Sequence, residues 1–247
     1  MSHPFLSIII PAYNEESRLP QTLEQAFSFL AEQEYKAEII VVENGSNDRT
    51  FKIAQELSAA FPNLYVFHND EAGKGKAVQR GMLEARGQYR IFCDADLSMP
   101  IGEIARFIPP HNDTDIVIAS REVDGAIRYD EPHQRHITGR IFNFIIRLLA
   151  LPGIHDTQCG FKGFRAEVAE DLFQHQNIEG WAFDVEILYI AKLRGYDVIE
   201  LPIPWYYREE SKINVLRDSF RMFLDILKIR RNARQGAYDS LPPSGEG

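Results

Sequence analysis

Apolar residues along the first 120 positions alternate between two textures. Short, nearly unbroken runs cover residues 7–10, 38–42, 64–67, 89–93 and 115–119. Between the runs, apolar positions recur every three or four residues. Leu19, Leu23, Ala26, Phe27 and Leu30 mark one helical face within residues 19–34; Phe51, Ala54, Leu57 and Phe61 mark another. Asp48 is placed to cap that second helix, and a third is expected over 75–85. The first strand is expected to end at Pro11. Strands that are apolar on both faces belong in a sheet covered on both sides, and strand–helix alternation makes such a sheet parallel. The expected fold class is α/β, a Rossmann-like, mostly parallel sheet flanked by helices.

The second half is less regular. Residues 121–134 hold charges, Gly125 and Pro132, and read as a mobile loop. Residues 135–151 read as a helix that is apolar almost all round, through Ile137, Ile141, Phe142, Phe144, Ile145, Ile146, Leu148, Leu149 and Leu151. Strands are expected over 159–165 and 197–201, and a helix over 183–194. Residues 215–234 form an amphipathic helix showing Leu216, Phe220, Phe223, Leu224 and Leu227 and ending in basic residues. Residues 236–247 include three Gly and two Pro and are expected to be disordered. With no repeat and no linker, residues 1–235 read as a single domain.

Composition narrows the class. The chain has 247 residues, 45% hydrophobic and 26% charged, which suits a globular domain and excludes disorder. No apolar stretch reaches the roughly 20 residues that span a bilayer, and the start lacks the pattern of a signal peptide. Cys93 and Cys159 fit no metal or redox spacing, so free thiols and a cytoplasmic location are expected. A net charge of −9 argues against nucleic-acid binding. That total hides an asymmetry: residues 200–235 hold 8 basic and 5 acidic side chains. The basic end, with the greasy 135–151 helix, permits peripheral contact with a membrane. Alternatively both helices are core, or they form the contact of a homodimer.

Chemistry gathers at strand ends, where open parallel sheets bind ligands. Asp94-Ala95-Asp96 directly follows the fourth apolar run. Two such carboxylates repel unless a cation sits between them, and hard oxygens select Mg²⁺ or Mn²⁺. An acidic turn capped through Asp96 or Ser98 is the alternative. Pro11-Ala12-Tyr13-Asn14-Glu15 and Glu43-Asn44-Gly45-Ser46-Asn47-Asp48 end two other runs. Gly73-Lys74-Gly75-Lys76 could turn amides and a Lys toward phosphates, although it is no P-loop. His133 and His136 have metal-ligand spacing but no acidic or Cys partners nearby, and read as loop residues. Arg121 and Arg135 are candidates for gripping an anionic substrate.

Together these motifs resemble the inverting, GT-A-fold glycosyltransferases of family two. Ile154-His155-Asp156-Thr157-Gln158-Cys159-Gly160-Phe161-Lys162, Trp181-Ala182-Phe183-Asp184-Val185-Glu186, and Trp205 followed by Ser211-Lys212 are similar to its dolichyl-phosphate β-glucosyltransferases. The resemblance covers about residues 5–232. It implies a nucleotide-sugar-binding half over 1–120 and an acceptor half over 121–235. It further implies inverting transfer of a hexose, glucose from UDP-glucose, to a polyprenyl or dolichyl phosphate. On this reading Asp94, Asp96 and Ser98 hold Mg²⁺ or Mn²⁺. Pro11, Ala12, Tyr13, Glu15, Glu43, Gly73, Lys74, Asp94, Ala95, Asp96, Arg208 and Lys212 hold the donor. Arg121, Arg135 and Gln158 take the acceptor phosphate, and Asp184 is an active-site carboxylate alongside Asp96, Arg121 and Arg135. The family commonly has Asp-Asp-Gly-Ser where this chain has Glu43-Asn44-Gly45-Ser46, which leaves the nucleotide open. GDP-mannose as donor, a soluble acceptor, and a non-catalytic nucleotide-sugar binder are the competing readings.

Overall fold

The computed structural model describes residues 3–132, 146–208 and 215–239. Arg135, Ser211, Lys212, His133, His136 and the apolar positions from Ile137 to Ile145 lie outside the described residues, as do the side chains of Leu216 and Phe220. Among the described residues, nine strands form two sheets. They are β1 (Leu6–Ala12), β2 (Ala37–Asn44), β3 (Leu64–Asn69), β4 (Tyr89–Cys93), β5 (Ile116–Ser120), β6 (Ile127–Tyr129), β7 (Phe161–Arg165), β8 (Val198–Pro202) and β9 (Pro204–Tyr206). The helices are α1 (Leu19–Ala31), α2 (Thr50–Ala60), α3 (Lys74–Glu84), α4 (Ala166–Gln174), α5 (Phe183–Arg194) and α6 (Val215–Arg234).

The main sheet has seven strands in the order β3-β2-β1-β4-β7-β5-β8. Its apolar strands divide their side chains between two cores, as the period-2 geometry of a strand requires. Ile9, Ile40, Val42 and Phe92 face one way, toward α3, α4, α5 and α6. Ile8, Ile10, Ile39, Val41 and Ile91 face the other, toward α1 and the 3₁₀ helix Ile101–Phe107. Burying each such side chain stabilises the fold by roughly 1.5–3 kcal/mol. The chain runs outward from β1 through β2 to β3, then returns to place β4 on the other side of β1. That reversal is the switch point at which such sheets open a ligand crevice.

Four details differ from what the sequence predicts. β1 continues through Pro11 to Ala12. Its pairing with β4 stops at Ile9 whereas that with β2 runs on to Ala12, so a residue lacking an N–H is tolerated there. The expected strand over 159–165 is β7, and it runs antiparallel to both β4 and β5. Residues 121–134 are not all loop, because Ile127–Tyr129 pairs with Pro204–Tyr206. The packed body also extends past Gly236: Tyr238 is only 2% exposed, and residues 240–247 lie outside the described residues. In the expected 135–151 helix, residues 146–149 are helical; Ile146 and Leu151 are buried in the core, while Leu148 is exposed.

Candidate active site

β4 ends at Cys93 and the chain turns through Asp94, Ala95 and Asp96, with Leu97 left-handed at φ 44°. The turn is fastened on two sides. The Ser98 amide donates to Asp96 Oδ1 at 2.9 Å, and the Thr22 hydroxyl of α1 donates to the Ala95 carbonyl at 2.6 Å. Asp94 donates its N–H to the Gly160 carbonyl at 3.1 Å. Because β7 runs antiparallel to β4 and pairs Phe161 with Cys93, Gly160 lies directly against the D-x-D turn. A Cβ there would stand 1.9 Å from Asp94 Oδ2, so only glycine leaves room for the carboxylate. The resulting cradle opens on a small cavity whose lining includes Asp94, Asp96, Ser98, Cys159, Gly160 and Trp205.

Two lysines enter this acidic cluster. Lys74, the first residue of α3, places Nζ 2.6 Å from Asp94 Oδ1 and 5.1 Å from the centre of the Trp181 ring. Burial opposes its charge, but Asp94, Asp184 and Asp96 outweigh burial and hold its pKa above the ordinary lysine value. Lys162 lies inside β7, is 1% exposed, and bonds the Asp184 carboxylate and the Cys159 carbonyl. Asp184 opens α5 and is itself buried; burial raises its pKa, and Lys162 and Lys74 pull it back. For Asp96, burial and then the Asp94 charge push the carboxyl up, against hydrogen bonds from Ser98.

The donor set fits a hard divalent cation. Asp94 and Asp96 supply adjacent carboxylates whose mutual repulsion a cation would relieve, and Gly160 leaves room for the Asp94 carboxylate at the cavity. Among the described residues no group of three or more His, Cys, Asp or Glu gathers for a metal. Such a site suits an ion that takes its remaining ligands from a diphosphate and water. Ser98, expected as a ligand, donates its amide to Asp96.

The residues expected to take an acceptor are more committed to internal bonds than the sequence suggests. Arg121 forks onto Asp156, Nε to Oδ2 at 2.7 Å and Nη2 to Oδ1 at 2.9 Å, and stacks 5.3 Å from the centre of the Trp205 ring. Asp156 is fully buried. Burial would raise its pKa, but Arg121 lowers it to about 2. Glu200 of β8 holds the backbone N–H groups of His155 and Asp156 at 2.7 and 2.9 Å. Gln158, expected beside the acceptor phosphate, reaches Met222 of α6 at 3.5 Å. Arg208 is exposed at the end of its described segment.

On the donor side, several expected nucleotide contacts are bound within the protein. Glu43 is fully buried; Oε1 accepts the Ser46 amide at 2.5 Å, and Oε2 meets His68 Nδ1. Glu15 pairs with Arg18 at 2.7 Å. The Gly73 amide donates to Asn44 Oδ1 at 3.0 Å and the Lys76 amide to the Glu179 carbonyl at 3.2 Å, so those two amides are not free for phosphate. Asn44, where the family commonly has Asp, thus ties the second strand end to the third. Asn14 laces the first to the second, its amide donating to Ser46 Oγ at 2.9 Å and its Oδ1 accepting the Asn47 amide at 2.8 Å. Asp48 accepts the Thr50 amide at 2.9 Å, and the residue at the N-cap is Arg49. Pro11 and Ala12 end β1, and Tyr13 is half-buried just beyond.

Sequence reasoning assigned no role to Gly160, Asp156, Lys162 or Trp181, which shape the site. One signal was available: a lysine between apolar residues in a strand requires a buried partner. Asp184 is that partner.

The chain belongs to glycosyl transferase family 2, whose model matches residues 7–173. Its more particular likenesses are to enzymes of lipid-linked sugar transfer. The dolichyl-phosphate beta-glucosyltransferase of Dictyostelium discoideum is 36% identical over 241 residues, 92% of this chain and 74% of that protein. The Homo sapiens dolichyl-phosphate beta-glucosyltransferase is 31% identical over 249 residues, 94% and 77% of the two chains. Among solved structures, glucosyl-3-phosphoglycerate synthase from Mycobacterium tuberculosis, in complex with Mn²⁺, UDP-glucose and phosphoglyceric acid, matches with a TM-score of 0.65. That likeness covers 99% of this chain and 83% of the other at 17% identity, and it shows a shared GT-A fold.

Proposed function

We propose that this protein transfers glucose from UDP-glucose to a polyprenyl phosphate, dolichyl phosphate in particular, with inversion at the anomeric carbon. The observation that supports this most is the Asp94–Gly160 cradle with Lys74 at 2.6 Å, at the switch point of a family 2 fold. The names of the relatives support the lipid acceptor and glucose; a relative of the fold crystallised with Mn²⁺ and UDP-glucose supports the donor and the metal. Asp94 and Asp96 would hold Mg²⁺ or Mn²⁺, which when bound neutralises the departing diphosphate. Lys74 adds positive charge on the same side, and Arg208 and Lys212 are proposed to close over the donor.

A phosphate monoester is largely a dianion at neutral pH, because its second pKa is about 6. Its oxygen needs no strong base before it attacks the sugar. The protein's task is to bring two anions together and to orient them. Asp184, held by Lys162, is proposed to orient the acceptor end, and Arg121 to face its phosphate with the edge that Asp156 does not occupy. Arg135 and Gln158 are proposed to complete that subsite, and Pro11, Tyr13 and Glu43 to frame the nucleotide.

The acceptor's lipid places it at a membrane surface. Among the described residues no helix is long and apolar enough to cross a membrane. α6 instead leaves Phe223, Leu224 and Leu227 exposed at 38%, 48% and 44%, beside Lys228, Arg231 and Arg234. That face suits peripheral attachment to an anionic bilayer. The assay for the activity is extraction of labelled glucose into organic solvent from UDP-glucose, Mn²⁺ and a short polyprenyl phosphate. Transfer that Asp96→Ala abolishes supports the proposal; equal turnover by Asp96→Ala in saturating Mn²⁺ overturns the metal role.

A further inference from the structure

α5 carries two acids in its first turn, Asp184 and Glu186. Asp184 joins the lysine–carboxylate cluster. Glu186 is fully buried, and its two oxygens serve different segments. Oε2 accepts the backbone N–H groups of Asn177 at 2.9 Å and Ile178 at 2.7 Å. Oε1 accepts the hydroxyl of Tyr238 at 2.6 Å. Tyr238 comes from the turn that follows α6, and its ring is packed into the core shared by α3, α5 and α6.

Residues 176–181 are the wall on which the start of α3 rests. Gln176 Nε2 donates to the Gly75 carbonyl at 2.9 Å, and the Lys76 amide donates to the Glu179 carbonyl at 3.2 Å. A Cβ on Gly75 would lie 2.6 Å from the Ile178 carbonyl oxygen and 2.7 Å from Phe183 Cβ, so the packing is close. The same segment leads into Trp181, beneath Lys74. The place of Lys74 therefore depends on the wall, and the wall's amides depend on Glu186.

We propose that Tyr238 is a positioning residue for Lys74, acting through Glu186 and the 176–181 wall. The inference rests on the reading of Lys74 as a donor-binding group. Removing the hydroxyl takes a donor from a carboxylate with no solvent to replace it, and the two wall amides lose a fixed acceptor. Tyr238→Phe keeps the ring and its packing, so the bond is tested apart from the volume.

Two measurements on the intact chain test this: exchange of the Asn177 and Ile178 amides, and UDP affinity in Mn²⁺ by calorimetry. They are made on wild type, Tyr238→Phe, Lys74→Met and the double variant. Tyr238→Phe is expected to speed exchange roughly tenfold and to weaken UDP roughly five- to tenfold, with under about twofold further loss in the Lys74→Met background. Wild-type UDP affinity in Tyr238→Phe overturns the inference, as does equal weakening in both backgrounds, which marks a general structural effect. A wild-type chain that binds no UDP instead removes the donor reading, and the inference with it.

Discussion

Gly160 and Asp94 are in such close register that a Cβ on the glycine would lie 1.9 Å from the Asp94 carboxylate. The carboxylate is the movable partner, since the backbones are joined by the Asp94 N–H to Gly160 carbonyl bond. Gly160→Ala is therefore expected to displace the carboxylate and leave the sheet intact. Metal-dependent transfer should fall at least about 100-fold, the scale of losing an electrostatic contact to the transition state, while the melting temperature changes by only a few degrees. Parallel activity and melting measurements check this, and a fully active Ala variant would detach Asp94 from the chemistry.

Lys162 and Asp184 are both buried, and each is the other's counter-charge. Removing one should leave the other's buried charge without its hydrogen-bonded partner, so Lys162→Met and Asp184→Asn are each expected to cost about 3–5 kcal/mol. The double variant should cost clearly less than their sum. Urea unfolding of all four forms gives the coupling, and simple additivity would mean that the ion pair is not what holds the site's floor.

Asp156 gives a pH signature. Its folded pKa, lowered to about 2 from 3.8, lies below that of the unfolded chain. The stabilisation is complete above the unfolded value and is lost as pH falls through the folded one. At neutral pH it is on the order of 2 kcal/mol. Wild type should thus exceed Asp156→Asn in stability at pH 6, and the gap should narrow between about pH 4 and 2. A gap that stays constant across that window would separate Asp156 from the acid response.

Much of this arrangement was legible beforehand. The near-continuous apolar runs marked β1, β2, β4 and β5, and the three-and-four spacing marked α1 and α2, because periodicity reflects which side faces the core. In α6 the residues read from the sequence, Phe223, Leu224 and Leu227, are exposed, and Met222, Ile226 and Ile229 face the core. The D-x-D turn stood out because two carboxylates directly follow an apolar run, at the end of a strand. Direction was not legible: nothing in Phe161–Arg165 tells that this strand runs backwards, since pairing is set by where residues 146–160 bring the chain in. Nor did charge reveal partnership. Arg121 looks free in sequence because Asp156 is 35 positions away, and Glu43 looks available because its partner His68 sits on the neighbouring strand end.

The exposed face of α6 carries the membrane reading. Leu224→Glu and Leu227→Glu together should leave the fold unchanged, because both side chains are nearly half exposed. Flotation with anionic vesicles should carry the wild type upward and leave the double variant behind. Failure of the wild type to float would remove α6 as an attachment surface.

The proposed reaction is transfer of glucose with inversion onto a lipid phosphate. The protein is incubated with Mn²⁺, a short polyprenyl phosphate and a panel including UDP-glucose and GDP-mannose, and the product is read by mass and by the anomeric proton coupling. One product is expected, a β-linked glucosyl phosphate of the lipid, formed from UDP-glucose. An α-linked product, a mannosyl product, or nucleotide sugar left untouched would contradict it.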